Sequence, residues 1–292
     1  MTSLPPPKAL LFDIGGVCVV SPFQGILDYE RAHNIPIGYI NFAIQRGHPT
    51  TGAWQLIERG EVELNDAWFA AFNSQLSNPT SWAEFCKREA LKNSKDDGTV
   101  PKVAVGEEGK EDVPPVPEID AKKMFWQMMR MSRTPDTFMY PALKKLQASD
   151  RFVLGALSNT VAYPTGIRDD TGELFTKGLV HAPPPNPYAN DSTDISDCFE
   201  IFISSAHSGV RKPEPVAYEL AVRELSRVSE GKGRGKIKPA EVLFIDDIGI
   251  NLKWAKKSGL RTLKVDLGKT KVAVEELERQ TGLKLLDEKP RL

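Results

Sequence analysis

Five short apolar runs along the chain each end on polar residues. They are Ala9-Leu10-Leu11-Phe12 before Asp13, Phe152-Val153-Leu154-Gly155-Ala156-Leu157 before Ser158-Asn159-Thr160, Ile201-Phe202-Ile203 before Ser204-Ser205, Val242-Leu243-Phe244-Ile245 before Asp246-Asp247, and Thr262-Leu263-Lys264-Val265 before Asp266. Runs of this length read as strands buried on both faces. Helical spacing fills the gaps: Val216, Ala217, Leu220, Ala221 and Leu225 form one stripe, and residues 252–257 form another that Gly259 caps. Pro141 suits the first position of a helix through Leu146. Strand alternating with helix predicts an α/β fold, a doubly wound parallel Rossmann-like sheet, whose strand ends share one rim. The first strand is expected over residues 8–13, continuing to about Val20.

Residues 21–134 have a different character. Apolar positions recur at helical spacing in 25–32, 39–44, 54–57, 68–76 and 82–91, with Asn65 or Asp66, and Thr80 or Ser81, as N-caps. A further helix is expected over 119–131, where Met124, Phe125, Met128 and Met129 share a face, either as packing core or as a pliable wall for a greasy ligand. No strand pattern interrupts this region. The organisation predicted is a Rossmann-like core of residues 1–20 and 135–292 with an all-helical insertion of residues 21–134. Within it, residues 92–118 are rich in charge, Gly and Pro and read as a mobile loop. Residues 161–197 form a second long loop, functional or disordered. The basic loop in 229–238 reads as a solvated connection, with contact to an anionic surface as the alternative.

Composition narrows the function classes. The 292 residues are 40% hydrophobic, enough for a substantial core. Lys plus Arg number 38 and Asp plus Glu 39, so nothing draws the chain to nucleic acid or to an anionic membrane. Cys18, Cys86 and Cys198 are too few and scattered for a disulfide framework or a zinc site. The start, Met-Thr-Ser-Leu-Pro-Pro-Pro, lacks the pattern of a signal peptide, and no run is long enough to span a bilayer, so a cytoplasmic location without membrane insertion is expected.

The chemistry is expected at the shared rim. Asp13 ends a buried run and precedes Gly15-Gly16, which allows either a reactive carboxylate or a turn-capping one. Convergence of the strand ends would join it to Ser158-Asn159, to Lys212 and to Asp246-Asp247. Three close carboxylates repel unless a cation sits among them, and oxygen-only ligation suits Mg²⁺. The lysine balances charge and can hold a phosphate oxygen, while a hydroxyl and an amide donate to the others. An aspartate so placed can attack phosphorus, which points to phosphoryl transfer from a small phosphate ester.

Phe12-Asp13-Ile14-Gly15-Gly16-Val17, Leu157-Ser158-Asn159, Lys212-Pro213 and Phe244-Ile245-Asp246-Asp247-Ile248-Gly249-Ile250-Asn251-Leu252 resemble, in order, the four motifs of the haloacid dehalogenase-like hydrolase superfamily. Val210-Arg211-Lys212-Pro213-Glu214-Pro215 and residues 275–283 are similar to the N-terminal phosphatase domain of soluble epoxide hydrolases and to the related domain of acyl-CoA dehydrogenase family proteins. The resemblance implies that Asp13 is the nucleophile, that Lys212 neutralises charge in catalysis, and that Ser158, Asn159, Lys212, Gly15 and Gly16 meet the substrate. It implies a metal held by Asp13, the Gly15 carbonyl, Asp246 and Asp247, with Asn251 bracing that loop from behind. The helical insertion would be the cap that selects substrates, a sugar or lipid phosphate among them.

Gly15 departs from the pattern. Phosphatases of this superfamily usually carry there an aspartate that protonates the leaving group, and such help is typically worth about 10²–10⁴-fold. Three readings follow: a slow phosphatase or one for good leaving groups, one with an acid recruited from the cap or from residues 161–197 (His48 and Asp170 being candidates, against ordinary surface roles), or a phosphate-binding or regulatory module with little turnover. A metal-independent 2-haloacid dehalogenase is a further alternative, which Lys212 and the doubled carboxylates Asp246-Asp247 disfavour. Trp54, Trp68 and Trp82 offer a face for a homodimer if they are exposed. No epoxide hydrolase or dehydrogenase segment follows before Leu292.

Overall fold

The computed structural model describes residues 5–93 and 113–287. Most of the expected 92–118 loop therefore lies outside the described residues. Five parallel strands, β1 (Ala9–Phe12), β2 (Val153–Ser158), β3 (Ile201–Ser204), β4 (Val242–Asp246) and β5 (Arg261–Lys264), form one sheet in the order β3-β2-β1-β4-β5. The three central strands β1, β2 and β4 are buried along their whole length, as their unbroken apolar sequence requires. Because β1 lies between β2 and β4, with Phe12 opposite both Ala156 and Ile245, the residues that follow these strands leave the sheet side by side. Helices cover both faces.

The helices outside the sheet's own connections come first: α1 (Pro22–Ala32), α2 (Tyr39–Gln45), α3 (Ala53–Glu58), α4 (Asp66–Leu76), α5 (Pro79–Asn93) and α6 (Ala121–Met131). They share a core of their own, in which Tyr39, Phe42, Trp68, Phe69, Phe72, Trp82, Phe85, Phe125 and Trp126 are all buried. Side chains of this size each contribute about 1.5–3 kcal/mol or more on full burial, so the block is held by apolar packing. Its caps are local. Ser21, Asn65 and Asp120 accept from Phe23 N, Trp68 N and Lys123 N, and α5 is capped by Asn78, which accepts from Ser81 N at 3.0 Å, in place of the expected Thr80 or Ser81. Trp68 and Trp82 lie inside this core and Trp54 faces a cavity, so they give no exposed face for a dimer.

Then follow α7 (Met139–Ser149), the four-residue α8 (Ser205–Ser208), α9 (Pro215–Gly231), α10 (Gly249–Lys257) and α11 (Thr270–Thr281). Pro141 falls inside the first turn of α7, which starts two residues earlier because Asp136 accepts from Phe138 N and Met139 N. The first strand stops at Phe12 and does not reach Val20. Cys18 N and Val19 N both donate to Ile14 O, folding residues 14–19 into a tight turn. That turn is stitched to the chain leaving α6, since Val20 N donates to Thr134 O and Asp136 N to Cys18 O, each at 2.9 Å.

Residues 161–197 are irregular but anchored. Arg168 and Leu174 form an isolated bridge, Phe175 and Tyr163 pack on Trp126, and Arg130 pairs with Asp169 at 2.9 Å and Asp170 at 2.6 Å. The basic loop after α9 is likewise tied down, with Lys232 and Arg234 pairing with Asp150 and Lys232 also with Glu200. Among the described residues no helix is long and apolar enough to cross a membrane.

Candidate functional site

The strand ends converge as the topology demands. Lys212 Nζ lies 2.8 Å from Asp13 Oδ2 and 2.7 Å from Asp246 Oδ2, and this lysine is only 1% exposed. Carboxylate oxygens of Asp13, Asp246 and Asp247 all lie within 4.8 Å of one another. Three carboxylates against one ammonium leave a formal excess of two negative charges, which a buried site cannot sustain without a divalent cation or bound protons. Burial, offset in part by Lys212 and aggravated by Asp246, pushes the Asp13 carboxyl up to about 7. Burial together with the charges of Asp13 and Asp246 pushes Asp247 up to about 8. Burial also works against the Lys212 ammonium, but Asp13 and Asp246 outweigh it and hold the amine above its ordinary range.

Each carboxylate is fixed from behind. Asp13 Oδ1 accepts from Ile14 N at 2.7 Å. Asp246 Oδ1 accepts from Ile248 N at 2.7 Å, and Asn251 Nδ2 approaches both Asp246 oxygens at 3.1 and 3.2 Å. Tyr218 hydroxyl donates to Asn251 O, locking the start of α10. Asp247 Oδ1 is the exception: it is buried with no hydrogen-bond partner. A buried carboxylate oxygen without a donor fits a ligand atom awaiting a cation, and an all-oxygen donor set fits a hard one such as Mg²⁺.

Gly15 and Gly16 play distinct parts. Gly16 has φ +78°, and a Cβ there would overlap Asp247 Oδ2, so only glycine lets the 247 carboxylate approach. At Gly15 a Cβ would meet the Pro22 ring at 3.0 Å, tight but against a side chain alone. Ser158 ends β2 and lines the cavity above Asp13. Asn159 lines it too, and its side chain spans the Lys212 backbone: Lys212 N donates to Asn159 Oδ1 at 2.8 Å and Asn159 Nδ2 donates to Lys212 O at 3.0 Å. Asn159 thus fixes the lysine.

That cavity, about 1600 Å³, lies between the rim and the helical block. Its walls include Phe23, Ile44, Trp54, Met128, Met129 and Phe175, so the methionine stripe divides, Met124 and Met128 packing in the core, where Met128 also reaches the cavity, and Met129 lying partly exposed on the wall. Neither His48 nor Asp170 lines it. His48 bonds Thr50 on the outer side of the block and Asp170 is committed to Arg130, which removes both as substitute acids. Sequence reasoning missed Glu58 and Arg211, which line the cavity and pair across it from α3 to the residue before Lys212; burial, with Arg211 opposing, holds the Glu58 carboxyl up. Arg211 was visible beside Lys212, but no spacing links it to Glu58.

No protein-family model matches the chain. Mouse acyl-CoA dehydrogenase family member 10 is 37% identical over 87 residues, 30% of this chain and 7% of that protein. Mouse bifunctional epoxide hydrolase 2 is 38% identical over 89 residues, 30% of this chain and 14% of that protein, so the match spans a small part of both relatives. Similar solved structures include a HAD family enzyme from Bacteroides thetaiotaomicron in complex with magnesium and inorganic phosphate (20% identity, 90% and 96% of the two chains, TM-score 0.44). The L-2-haloacid dehalogenase from Xanthobacter autotrophicus is 19% identical over 97% and 90% of the two chains, with a TM-score of 0.42. In its four ordered motifs and in the parallel sheet that carries them, this chain resembles the haloacid dehalogenase-like hydrolases.

Proposed function

We propose that the chain is a Mg²⁺-dependent hydrolase of small phosphate monoesters, with the helical block as the cap over its site. The observation that carries this reading is the buried cluster of Asp13, Asp246 and Asp247 around Lys212, with one Asp247 oxygen left without a donor. Asp13, Asp247 and Asp246, with the Gly15 carbonyl, would hold the ion, which supplies charge neutralisation for a phosphoryl group.

In the first step an oxygen of the Asp13 carboxylate forms a bond to phosphorus while the bond from phosphorus to the ester oxygen breaks. The leaving oxygen takes its proton from water, because Gly15 offers none. Water then attacks the same phosphorus, its proton passing to solvent, and the bond to Asp13 breaks to release inorganic phosphate. Lys212 offsets the charge on the transferring group and keeps Asp13 oriented. Ser158 donates to a phosphoryl oxygen, and Asn159 holds Lys212 in register. A missing acid predicts a bias toward leaving groups that need no protonation.

The test is Mg²⁺-dependent phosphate release from an aryl phosphate by the wild type, Asp13→Asn and Gly15→Asp. Release that needs both Mg²⁺ and Asp13 supports the reading. A silent wild type with an active Gly15→Asp replaces it with a phosphate-binding module, and chloride release from a 2-haloacid without metal replaces it with a dehalogenase.

A further inference from the structure

The cavity, about 1600 Å³, has far more room than a phosphoryl group fills, and besides Asp13 and Lys212 its lining carries Arg133 and Lys177, neither of which makes a salt bridge among the described residues. Arg133 sits on the stitch between the turn after Asp13 and the chain leaving α6: Val19 bridges both Gly15 and Pro135, and Val20 N donates to Thr134 O. The arginine is therefore two residues from the bridge to the loop that presents the nucleophile. Its other side is held as firmly. Its carbonyl accepts from Val180 N at 2.8 Å, its Nε donates to Gly178 O at 2.8 Å, and its guanidinium lies 5.7 Å from the centroid of the Phe175 ring.

Fixed through Nε and a ring face, the guanidinium keeps its two terminal nitrogens without an acceptor among the described residues. Such an end-on pair matches the two oxygens of a carboxylate or phosphate and loses little further freedom on binding one. Of the acids on the wall, Glu58 pairs with Arg211, and Asp194, held ionised by Ser196 N at 2.9 Å and by Lys177, offsets that lysine in part, so Arg133 is the main cation left. The charge left to meet a ligand there is positive.

The geometry points to a second oxyanion-binding position at Arg133, assisted by Lys177, so that the preferred ligand is a phosphate ester carrying another anionic group at its far end. This rests on the phosphate-ester reading above and names the substrate class for the same site. The cavity that holds both positions is also lined by Trp54, Met129 and Phe175, apolar side chains that suit a hydrocarbon spacer.

The test uses alkylphosphonates, which cannot be hydrolysed, in a graded series of chain lengths with either a methyl or a carboxylate terminus, and calorimetry with Mg²⁺ present. In the wild type one chain length with the carboxylate is expected to bind about tenfold tighter than its methyl counterpart. Arg133→Gln is expected to remove most of that advantage and leave the methyl series unchanged, Arg133→Lys to keep part of it, and Lys177→Gln to reduce it modestly. If methyl phosphonates bind and the carboxylate adds nothing at any length, or Arg133→Gln weakens both series alike, the second position is refuted while the phosphate reading stands. If no phosphonate binds, both fall together.

Discussion

The two sides of the cavity are built on opposite principles. The rim side is a close array of ionisable groups, Asp13, Lys212, Asp246 and Asp247, each delivered by the end of a strand or the loop beside it, the first three clamped by backbone N–H groups or by Asn159 and Asn251. The helical side is an apolar wall, Phe23, Ile44, Trp54, Met128 and Met129, beside which the charges are Glu58, Arg211 and, on the chain leaving α6, Arg133. Strand ends in a parallel sheet are fixed to within the ladder spacing, so chemistry placed there is rigid. Methionine side chains on the wall adapt to substitution, so the wall can be retuned for the ligand without disturbing the reacting atoms.

Changes on the rim should accordingly be severe and changes on the wall graded. The largest effect is expected for Asp13→Asn, which removes the attacking oxygen and should lower phosphate release by at least about 10³-fold with folding intact, as judged by an unchanged circular dichroism spectrum. Lys212→Met comes next, since it leaves Asp13 and Asp246 buried without their cation. Loss of one partner from a buried pair costs about 3–5 kcal/mol, which should show as a marked fall in Tm that Mg²⁺ partly reverses. Gly16→Ala forces a Cβ onto the Asp247 carboxylate at a positive φ, and is expected to weaken Mg²⁺ binding by about tenfold or more in a calorimetric titration.

The rim should also betray its charge in the metal-free protein. Asp13 and Asp247 are raised to about 7 and about 8 from an ordinary 3.8, so the folded chain retains protons that the unfolded chain releases. Their contribution to stability is therefore greatest below about pH 4 and is lost as pH rises toward 8. Without Mg²⁺, Tm should fall across that interval, and with Mg²⁺ the fall should flatten. A Tm that rises from pH 5 to 8 without metal would contradict the charge arrangement. The smallest effect is expected on the wall: Met129→Ala should change KM for alkyl phosphates severalfold with kcat within about twofold, since it touches only the non-reacting part of the ligand.

The same contrast explains what was legible in the sequence. Short apolar runs ending in Asp13, Ser158, Ser204 and Asp246 announce parallel strands, because burial on both faces demands unbroken apolar sequence, and a parallel sheet then gathers their ends. The helices of the block were equally visible through their 3.6-residue period. Contacts between distant elements were not. Nothing in the spacing of Glu58 and Arg211, or of Arg133 and Gly178, shows that they meet, since each pair joins segments with no common register. The turn at residues 14–19 was read as strand because Val17, Val19 and Val20 have strand propensity, whereas three backbone donors converging on Ile14 O override it. Residues 161–197 looked unstructured by composition, yet Phe175 and Tyr163 anchor them through contacts with Trp126 that no local pattern encodes.

The central claim is that Asp13 takes a phosphoryl group while the acidic cluster holds a divalent cation. Its most direct test is acid quench of the protein during turnover of a phosphate ester, with peptide mass spectrometry to locate the phosphoryl group. The account predicts an acyl phosphate on the peptide that contains Asp13, seen only with Mg²⁺ and absent from Asp13→Asn. Steady phosphate release without that adduct on Asp13, or with the phosphoryl group on another residue, would contradict it.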